Sequence, residues 1–361
     1  MATALRAGIL GTGAIAAHHA EALAADPLAE LVAVADVRRE SAEAFGQTWH
    51  AAVHDDLPSL LAAGIDVLHV CTPPGVHAEQ AIAALDAGVH VVVEKPPARS
   101  LEQLDDMVAA AKRNDRELAI VFQQRTGTAA AHVRRLLDEG ALGRPLLALC
   151  HTLWFRDQGY FDVPWRGSWE TEGGGPTLGH GIHQLDLLAW LLGDAEEVSG
   201  RLWRLGRETG TEDSSTAVIT FANGVVASVV TSAVAPRETS SIRIDTEFAT
   251  VTVDHLYGHG HDNWRITAAP GVPDEVVEGW RFPEHEERSG HVPLLREVYA
   301  AIREGRPLPS TASDPARSFE LVAAISLSAA RGRPVALEEV RRDSGIRASL
   351  EAPVIDRRTG R

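Results

Sequence analysis

The segment Arg6–Leu10 is almost unbroken in its apolar character, and it runs into Gly11-Thr12-Gly13 and then a helix-spaced stretch, Ala14–Ala25. Unbroken apolar runs suit strands buried on both faces, so this strand–glycine turn–helix unit leaves the chain few architectures to choose from. The same pattern recurs. Leu31–Ala35, Val67–Cys71, Val89–Val93 and Leu118–Phe122 are further runs, and His77–Ala87 and Leu101–Arg113 carry apolar residues at helical spacing between them. Ser100 and Gln103 open the last helix as a capping-box pair. Strand–helix alternation of this kind predicts a doubly wound parallel sheet with right-handed crossovers over residues 1–124.

The pattern changes after Gln123. A helix over Ala129–Asp138 leads to Gly143-Arg144-Pro145, and then strand-like runs arrive with few helices between them: Leu146–Trp154, Glu197–Trp203, Ser215–Phe221, Val225–Ser232, Ser241–Asp245 and Thr250–Val253. Asn223-Gly224 between two of these is a hairpin signal. These features predict a second, α+β domain over residues 125–338 with a large, mostly antiparallel open sheet. A helix at Ile182–Leu192 is inserted in it, and the helices Val292–Arg303 and Asp314–Ala330 close it. The arginine-rich tail, residues 339–361, is expected to be loosely ordered or to pack on a neighbouring subunit.

A chain of 361 residues with 45% hydrophobic and 23% charged residues is large enough for two cores. A net charge of -16 argues against a nucleic-acid partner, because a phosphate backbone needs a basic surface. Cys71 and Cys150 each sit in a strand-like run and read as buried free thiols. No run is long enough to cross a bilayer, and the first strand begins too early to leave room for a signal peptide. The expectation is a cytoplasmic protein without a membrane partner.

Gly11, Thr12, Gly13, Ala14, Ile15 and Ala16 stand where a dinucleotide's pyrophosphate would meet a helix N-terminus. The two glycines permit the tight turn and the close approach, and Ala16 is small enough for helix–strand packing. The first domain is therefore expected to be a Rossmann domain. Asp36 ends the second strand, 20 residues beyond Ala16, where a carboxylate holds ribose hydroxyls and repels a 2′-phosphate. NAD is the expected cofactor. NADP is the second candidate, because Arg38 and Arg39 follow directly.

With Glu94-Lys95-Pro96 after the fifth strand, the sequence resembles the Gfo/Idh/MocA oxidoreductases over nearly its whole length. Cys71-Thr72-Pro73-Pro74, with His77 and Glu79, resembles the family's turn under the nicotinamide. Glu94-Lys95-Pro96 resembles its catalytic-lysine motif. Gly173-Gly174-Gly175, followed by His183 and Asp186, resembles its substrate-domain signature. Trp165-Arg166-Gly167-Ser168-Trp169, preceded by Arg156 and Tyr160, is similar to members acting on sugars and sugar derivatives. The resemblance implies cofactor contacts at Cys71, Thr72, Pro73, His77, Glu94, Lys95 and Gln123, beside those of the glycine turn, Asp36 and Arg38. It also implies a homodimer or homotetramer. One departure stands out: the family's Asp or Asn four residues before the catalytic histidine is Gly179 here, beside His180.

Hydride exchange between a carbinol carbon and nicotinamide needs a group to take or return the hydroxyl proton. Lys95 serves if a partly dry pocket lowers its pKa toward neutrality, and His183 titrates in the useful range. Arg156, Tyr160, Trp165 and Arg166 suit an oligohydroxy substrate, since aromatic faces cover sugar C–H surfaces and guanidinium groups bond hydroxyls. His180 is expected to line the same pocket in place of the missing carboxylate. His255, His259 and His261 lack a recognised zinc spacing and are expected to border the pocket, with no metal bound. The sequence thus predicts an NAD(P)-dependent dehydrogenase of a small polyhydroxylated substrate, a sugar, cyclitol or glycoside. Two alternatives are NAD-assisted glycoside cleavage by transient oxidation and elimination, and a non-catalytic NAD-binding redox sensor. Retention of Lys95 and His183 argues against the sensor.

Overall fold

The structure, a computed structural model, describes residues 4–255, 257–310 and 315–357. Two compact units divide the chain, the first made of Met1–Ala98, Glu102–Gln123 and His291–Pro315, the second of Arg99–Leu101, Gln124–Gly290 and Ala316–Arg361.

The first unit holds six parallel strands: β1 (Leu5–Leu10), β2 (Ala29–Ala35), β3 (Ala52–His54), β4 (Val67–Val70), β5 (His90–Val93) and β6 (Leu118–Ile120). Their order is β3-β2-β1-β4-β5-β6, so the direction of winding reverses between β1 and β4. Ile9, Val34, Val67 and Val92 are at most 1% exposed, as expected for strands covered on both faces. The sheet is the doubly wound one the sequence predicts. Both cysteines are free and buried.

One helix is in a different place from that expected. His291–Glu304 belongs to the first unit, where Leu294, Leu295, Val298 and Tyr299 join a core cluster with Ala16, Ala20 and Leu23 of the helix Ala14–Ala24. The small side chains Ala16 and Ala20 let the two helices approach, and that packing outweighs chain order.

The second unit carries β7 (Pro145–Phe155), β8 (Ala195–Arg204), β9 (Ser214–Phe221), β10 (Val226–Ser232), β11 (Val234–Thr246), β12 (Ala249–Asp254), β13 (Trp264–Ala268), β14 (Val335–Ala336) and β15 (Ile355–Asp356). They form one sheet in the order β13-β12-β11-β7-β10-β9-β8-β14, with β15 on β8. Every pair is antiparallel except β7 with β10 and β8 with β15. Gly224, at φ +86°, turns β9 into β10 as its sequence promised.

The tail differs from expectation. Leu337–Arg342 and Ser344–Ala348 are helical, and Val340, Ile346, Leu350 and Ala352 are buried, so apolar residues spaced among the arginines anchor it. Asp314, expected to open the last long helix, lies outside the described residues; that helix is Pro315–Arg331. Among the described residues, no helix is long and apolar enough to cross a membrane.

Candidate active site

The glycine turn is built for close approach. Gly11 has φ +88°, and a Cβ there would lie 2.9 Å from the Cys71 backbone. Gly13 caps the helix Ala14–Ala24 without a side-chain hydrogen bond, and a Cβ on it would meet nothing within 4 Å. The helix N-terminus thus opens onto free space, which fits a pyrophosphate. Asp36 does more than the sequence suggests. Its Oδ2 accepts the Thr12 N–H at 2.7 Å and the Thr12 hydroxyl at 3.1 Å, while Oδ1 accepts the Arg38 N–H at 2.8 Å. Of about four acceptor positions on a carboxylate, one therefore remains for a ribose hydroxyl. Arg39 is drawn to Glu43 and Asp55, whereas Arg38 stays largely exposed.

Lys95 follows β5 and precedes Pro96 through a cis peptide bond. The nearby His77 is 1% exposed, with Nδ1 2.9 Å from the Pro96 carbonyl and Nε2 2.6 Å from the Thr72 carbonyl. It ties the Cys71–Pro74 turn to the lysine loop. Glu94 is also buried, with Oε2 accepting the Lys95 N–H at 3.1 Å and Oε1 accepting from His19 and His291, each at 3.0 Å. Among the described residues, His19, Glu94 and His291 are the set whose ligand-type atoms converge. Burial and then the charge of Glu94 push the Cys71 thiol well up, which keeps it protonated. Gln123 is buried at the edge of the first unit.

In the second unit, a single π turn, Thr177–Gly181, opens the helix Ile182–Leu192 and presents His180 and His183. Such turns often mark functional positions. The glycines before it are needed for contact: a Cβ on Gly175 would lie 2.3 Å from the Glu212 carbonyl. Glu212 itself accepts the N–H groups of Gly175 and Thr177 at 3.2 and 3.1 Å. Asp186 is locked by Arg125 Nε at 2.7 Å and by Ser318 at 3.2 Å, a buried pair whose disruption costs about 3–5 kcal/mol. Asp186 therefore holds the helix.

Most of the predicted substrate residues gather here. Arg166 donates to the Tyr160 hydroxyl, and that hydroxyl donates to Nε2 of His180 at 3.0 Å. The Arg166 guanidinium lies 4.0 Å from the Tyr160 ring centre and 4.1 Å from that of Trp165. Arg156 covers Trp154 at 4.8 Å and pairs with Glu238 at 2.9 Å. Burial pushes the Tyr160 phenol up to about 12, so it remains a donor at neutral pH. His183 is fully buried, with Nε2 3.2 Å from the Tyr257 hydroxyl.

Three residues here escaped the sequence reading. Trp154 packs at a tilt against His180 with ring centres 4.6 Å apart, and Tyr257 meets His183 edge-on. Glu172, 6% exposed, is the third. Its Oε2 accepts the Gly167 N–H at 2.7 Å, and its Oε1 lies 3.6 Å from where a Gly179 Cβ would stand. A carboxylate thus fills the space beside Gly179, supplied from another point in the chain. Its only sequence signal is its place just before Gly173. Two of the loop histidines, His259 and His261, serve packing, while Tyr257 of the same loop meets His183. Trp264 donates to His259 at 3.1 Å, burial pulls His259 down to about 4, and His261 bonds Thr128 at 2.7 Å while stacking on Phe282. A cavity of about 510 Å³, lined by Thr128, His132, Arg135 and Arg281 among others, contains none of the predicted site residues.

Two family models match consecutive parts of the chain: an oxidoreductase family with an NAD-binding Rossmann fold over residues 5–122, and the GFO/IDH/MocA C-terminal domain over residues 130–252. The chain belongs to the Gfo/Idh/MocA oxidoreductases. As in that family, its first unit is an NAD-binding Rossmann domain and the protein is an NAD-dependent oxidoreductase. It is 37% identical to the D-glucoside 3-dehydrogenase of Escherichia coli over 52% of this chain and 54% of that one, so the match spans about half of that enzyme. With the D-apiose dehydrogenase of Paraburkholderia graminis it shares 26% identity over 98% and 95% of the two chains. Among solved structures, the WlbA dehydrogenase of Bordetella pertussis, in complex with NADH and UDP-GlcNAcA, superposes with a TM-score of 0.82 at 29% identity, covering 92% of this Gfo/Idh/MocA chain and 98% of that one.

Proposed function

We propose that this protein exchanges hydride between nicotinamide and a secondary alcohol of a sugar, cyclitol or glycoside. The observation that carries the reading is the array of Arg156, Tyr160, Trp165, Arg166 and His180, in which guanidinium groups lie on aromatic rings and Arg166 is joined through the half-buried Tyr160 hydroxyl to the buried His180 imidazole. Such an array offers flat apolar faces and directed donors together, as a ring with many hydroxyls requires. The relatives named as glucoside and apiose dehydrogenases support the same class. The cofactor supplies the hydride chemistry when bound. Gly11–Ile15 and Asp36 hold its phosphates and ribose, Lys95 takes or returns the hydroxyl proton, and His183 shares that proton traffic. A panel of polyols and glycosides, followed by absorbance at the reduced-nicotinamide band, tests the reading. Growth of the band is the expected result, whereas free sugar without a band would point to the eliminative route.

Asp36 makes cofactor choice a separate prediction. NAD should bind more tightly than NADP, and Asp36→Ala should narrow the gap while loosening the turn that Thr12 shares with it. Titration of both cofactors checks this. Tighter NADP binding by the wild type would mean that the exposed Arg38 governs the site.

We also propose a homodimer or homotetramer. The outer face of the second sheet carries Leu147, Val218 and Val226 at 44%, 47% and 38% exposure, with Leu147 and Val226 side by side in register. A half-apolar sheet face is costly in water and is relieved by a second copy of the sheet. Light scattering at micromolar concentration should show an oligomer; a monomer there ends the proposal.

A further inference from the structure

A buried polar cluster lies behind Lys95 in the first unit, and the roles assigned above do not use it. His19 comes from the helix Ala14–Ala24, His69 from β4, Glu94 from the end of β5, and His291 and Tyr299 from the helix His291–Glu304. His19, His69 and Tyr299 are at 0% exposure and Glu94 is at 4%. Their hydrogen bonds have one consistent direction. Burial holds the Tyr299 proton on its oxygen, so that hydroxyl donates to Nε2 of His69. His69 then keeps its own proton on Nδ1 and donates to Nδ1 of His19 at 2.6 Å. His19 in turn carries its proton on Nε2 and donates to Oε1 of Glu94, where His291 donates as well. Burial lowers both His19 and His69, which keeps them neutral. The result is a carboxylate that receives two imidazole N–H groups and one main-chain N–H. Burial pushes Glu94 up, but the bonds from His19 and His291 outweigh it and hold the group well below the usual carboxylate range.

We propose that Glu94 is a buried anion whose charge favours the oxidised, cationic nicotinamide over the reduced, neutral one; this rests on the nicotinamide binding proposed above. A carboxylate taken out of water is costly, and three N–H donors satisfy its lone pairs, of which the buried His19 brings no charge to cancel its own. Its place in the sheet gives that charge an object. Sheets of this order bind ligands at the carboxyl ends of their strands, about the point where the order reverses. Asp36 at the end of β2 takes the adenosine side, which leaves the ends of β4 and β5, Cys71 and Glu94, for the nicotinamide. The charge of Glu94 is felt at Cys71 and at His77, the two ends of the turn expected beneath that ring. The titratable groups around Glu94 are His18 and His19 on one helix, His69 and Cys71 on β4 and its end, His77, Lys95, and His291 with Tyr299.

The test is calorimetric titration of the full-length protein with NAD+ and with NADH, for the wild type and for Glu94→Gln. A unit charge at about 10 Å in a medium of effective dielectric about 20 shifts an equilibrium about tenfold, so Glu94→Gln should weaken NAD+ relative to NADH by about that factor. If the wild type binds neither form, the cofactor reading fails and this inference falls with it. If both forms bind and their ratio is unchanged in the variant, this inference alone is overturned. A stoichiometric transition metal found by mass spectrometry on His19, Glu94 and His291 also overturns it, because the metal would cancel the charge. Should Glu94→Gln not fold, His291→Ala takes its place. That change removes one of the bonds holding Glu94 ionised, so the preference for NAD+ should fall as pH drops from about 8 to about 5. A ratio in His291→Ala as flat as that of the wild type counts against the proposal.

Discussion

Lys95→Ala and His183→Ala are each expected to lower turnover by roughly 10²–10⁴-fold, the usual contribution of a positioned acid–base group, while NAD binding changes little. The geometry gives each a distinct background. The main chain of Lys95 is pinned by Glu94 on one side and, through Pro96, by His77 on the other, so truncating the side chain should leave the loop in place. His183 is fully buried against Tyr257, and its loss opens a cavity, so the thermal melt must be followed alongside the kinetics. If the two residues move one proton, the double variant should be barely slower than the worse single one. Steady-state kinetics with a substrate from the polyol panel decides the matter. Losses of only a few-fold in both single variants would remove the pair from the chemistry, whereas full additivity would make them independent.

The second large effect is expected at Gly179. A Cβ there meets the Glu172 oxygen at 3.6 Å, an ordinary contact, so Gly179→Ala should behave nearly as wild type. Gly179→Asp is different. It sets a new carboxylate against Glu172, which already bonds the Gly167 N–H and lies 3.5 Å from Arg166. Like charges at that range raise a pKa or force the groups apart, and either disturbs the Arg166–Tyr160–His180 chain. Coupling of this kind runs at about 0.5–3 kcal/mol, so turnover should fall by up to about a hundredfold. Adding Glu172→Gln to Gly179→Asp should recover much of the loss. Without that recovery, Glu172 is not the group that fills the space at Gly179.

The parallel sheet was legible because double burial writes itself into consecutive apolar residues, as in Val89–Val93. The antiparallel sheet showed through alternation and Asn223-Gly224. The helix Arg39–Trp49 escaped notice because its charged residues hide a narrow buried face at Ala42 and Gly46. An amphipathic pattern says that His291–Glu304 is a helix but not which core receives it. The same limit applies to Val340 and Ile346, scattered among arginines. In the site, Lys95, His180 and His183 carry motif signals that a single strand end or turn explains. Glu172, Trp154 and Tyr257 matter only through neighbours distant in sequence. His19 and His69 carry no motif signal and matter only through the bonds that link Tyr299 to Glu94.

The return of His291–Glu304 to the first unit bears on how the protein is made. Leu294, Leu295, Val298 and Tyr299 supply part of the core that the helix Ala14–Ala24 needs, yet some 170 residues of the second unit are translated between residues 123 and 291. Domains usually fold as units in the order of synthesis. Here the nucleotide-binding unit emerges first but must wait, with one side of its leading helix uncovered, until the ribosome has passed Tyr299. A fragment ending near residue 124 would lack that cover permanently. The cofactor domain of this enzyme is therefore finished late, and its contiguous first 124 residues hold only part of its core.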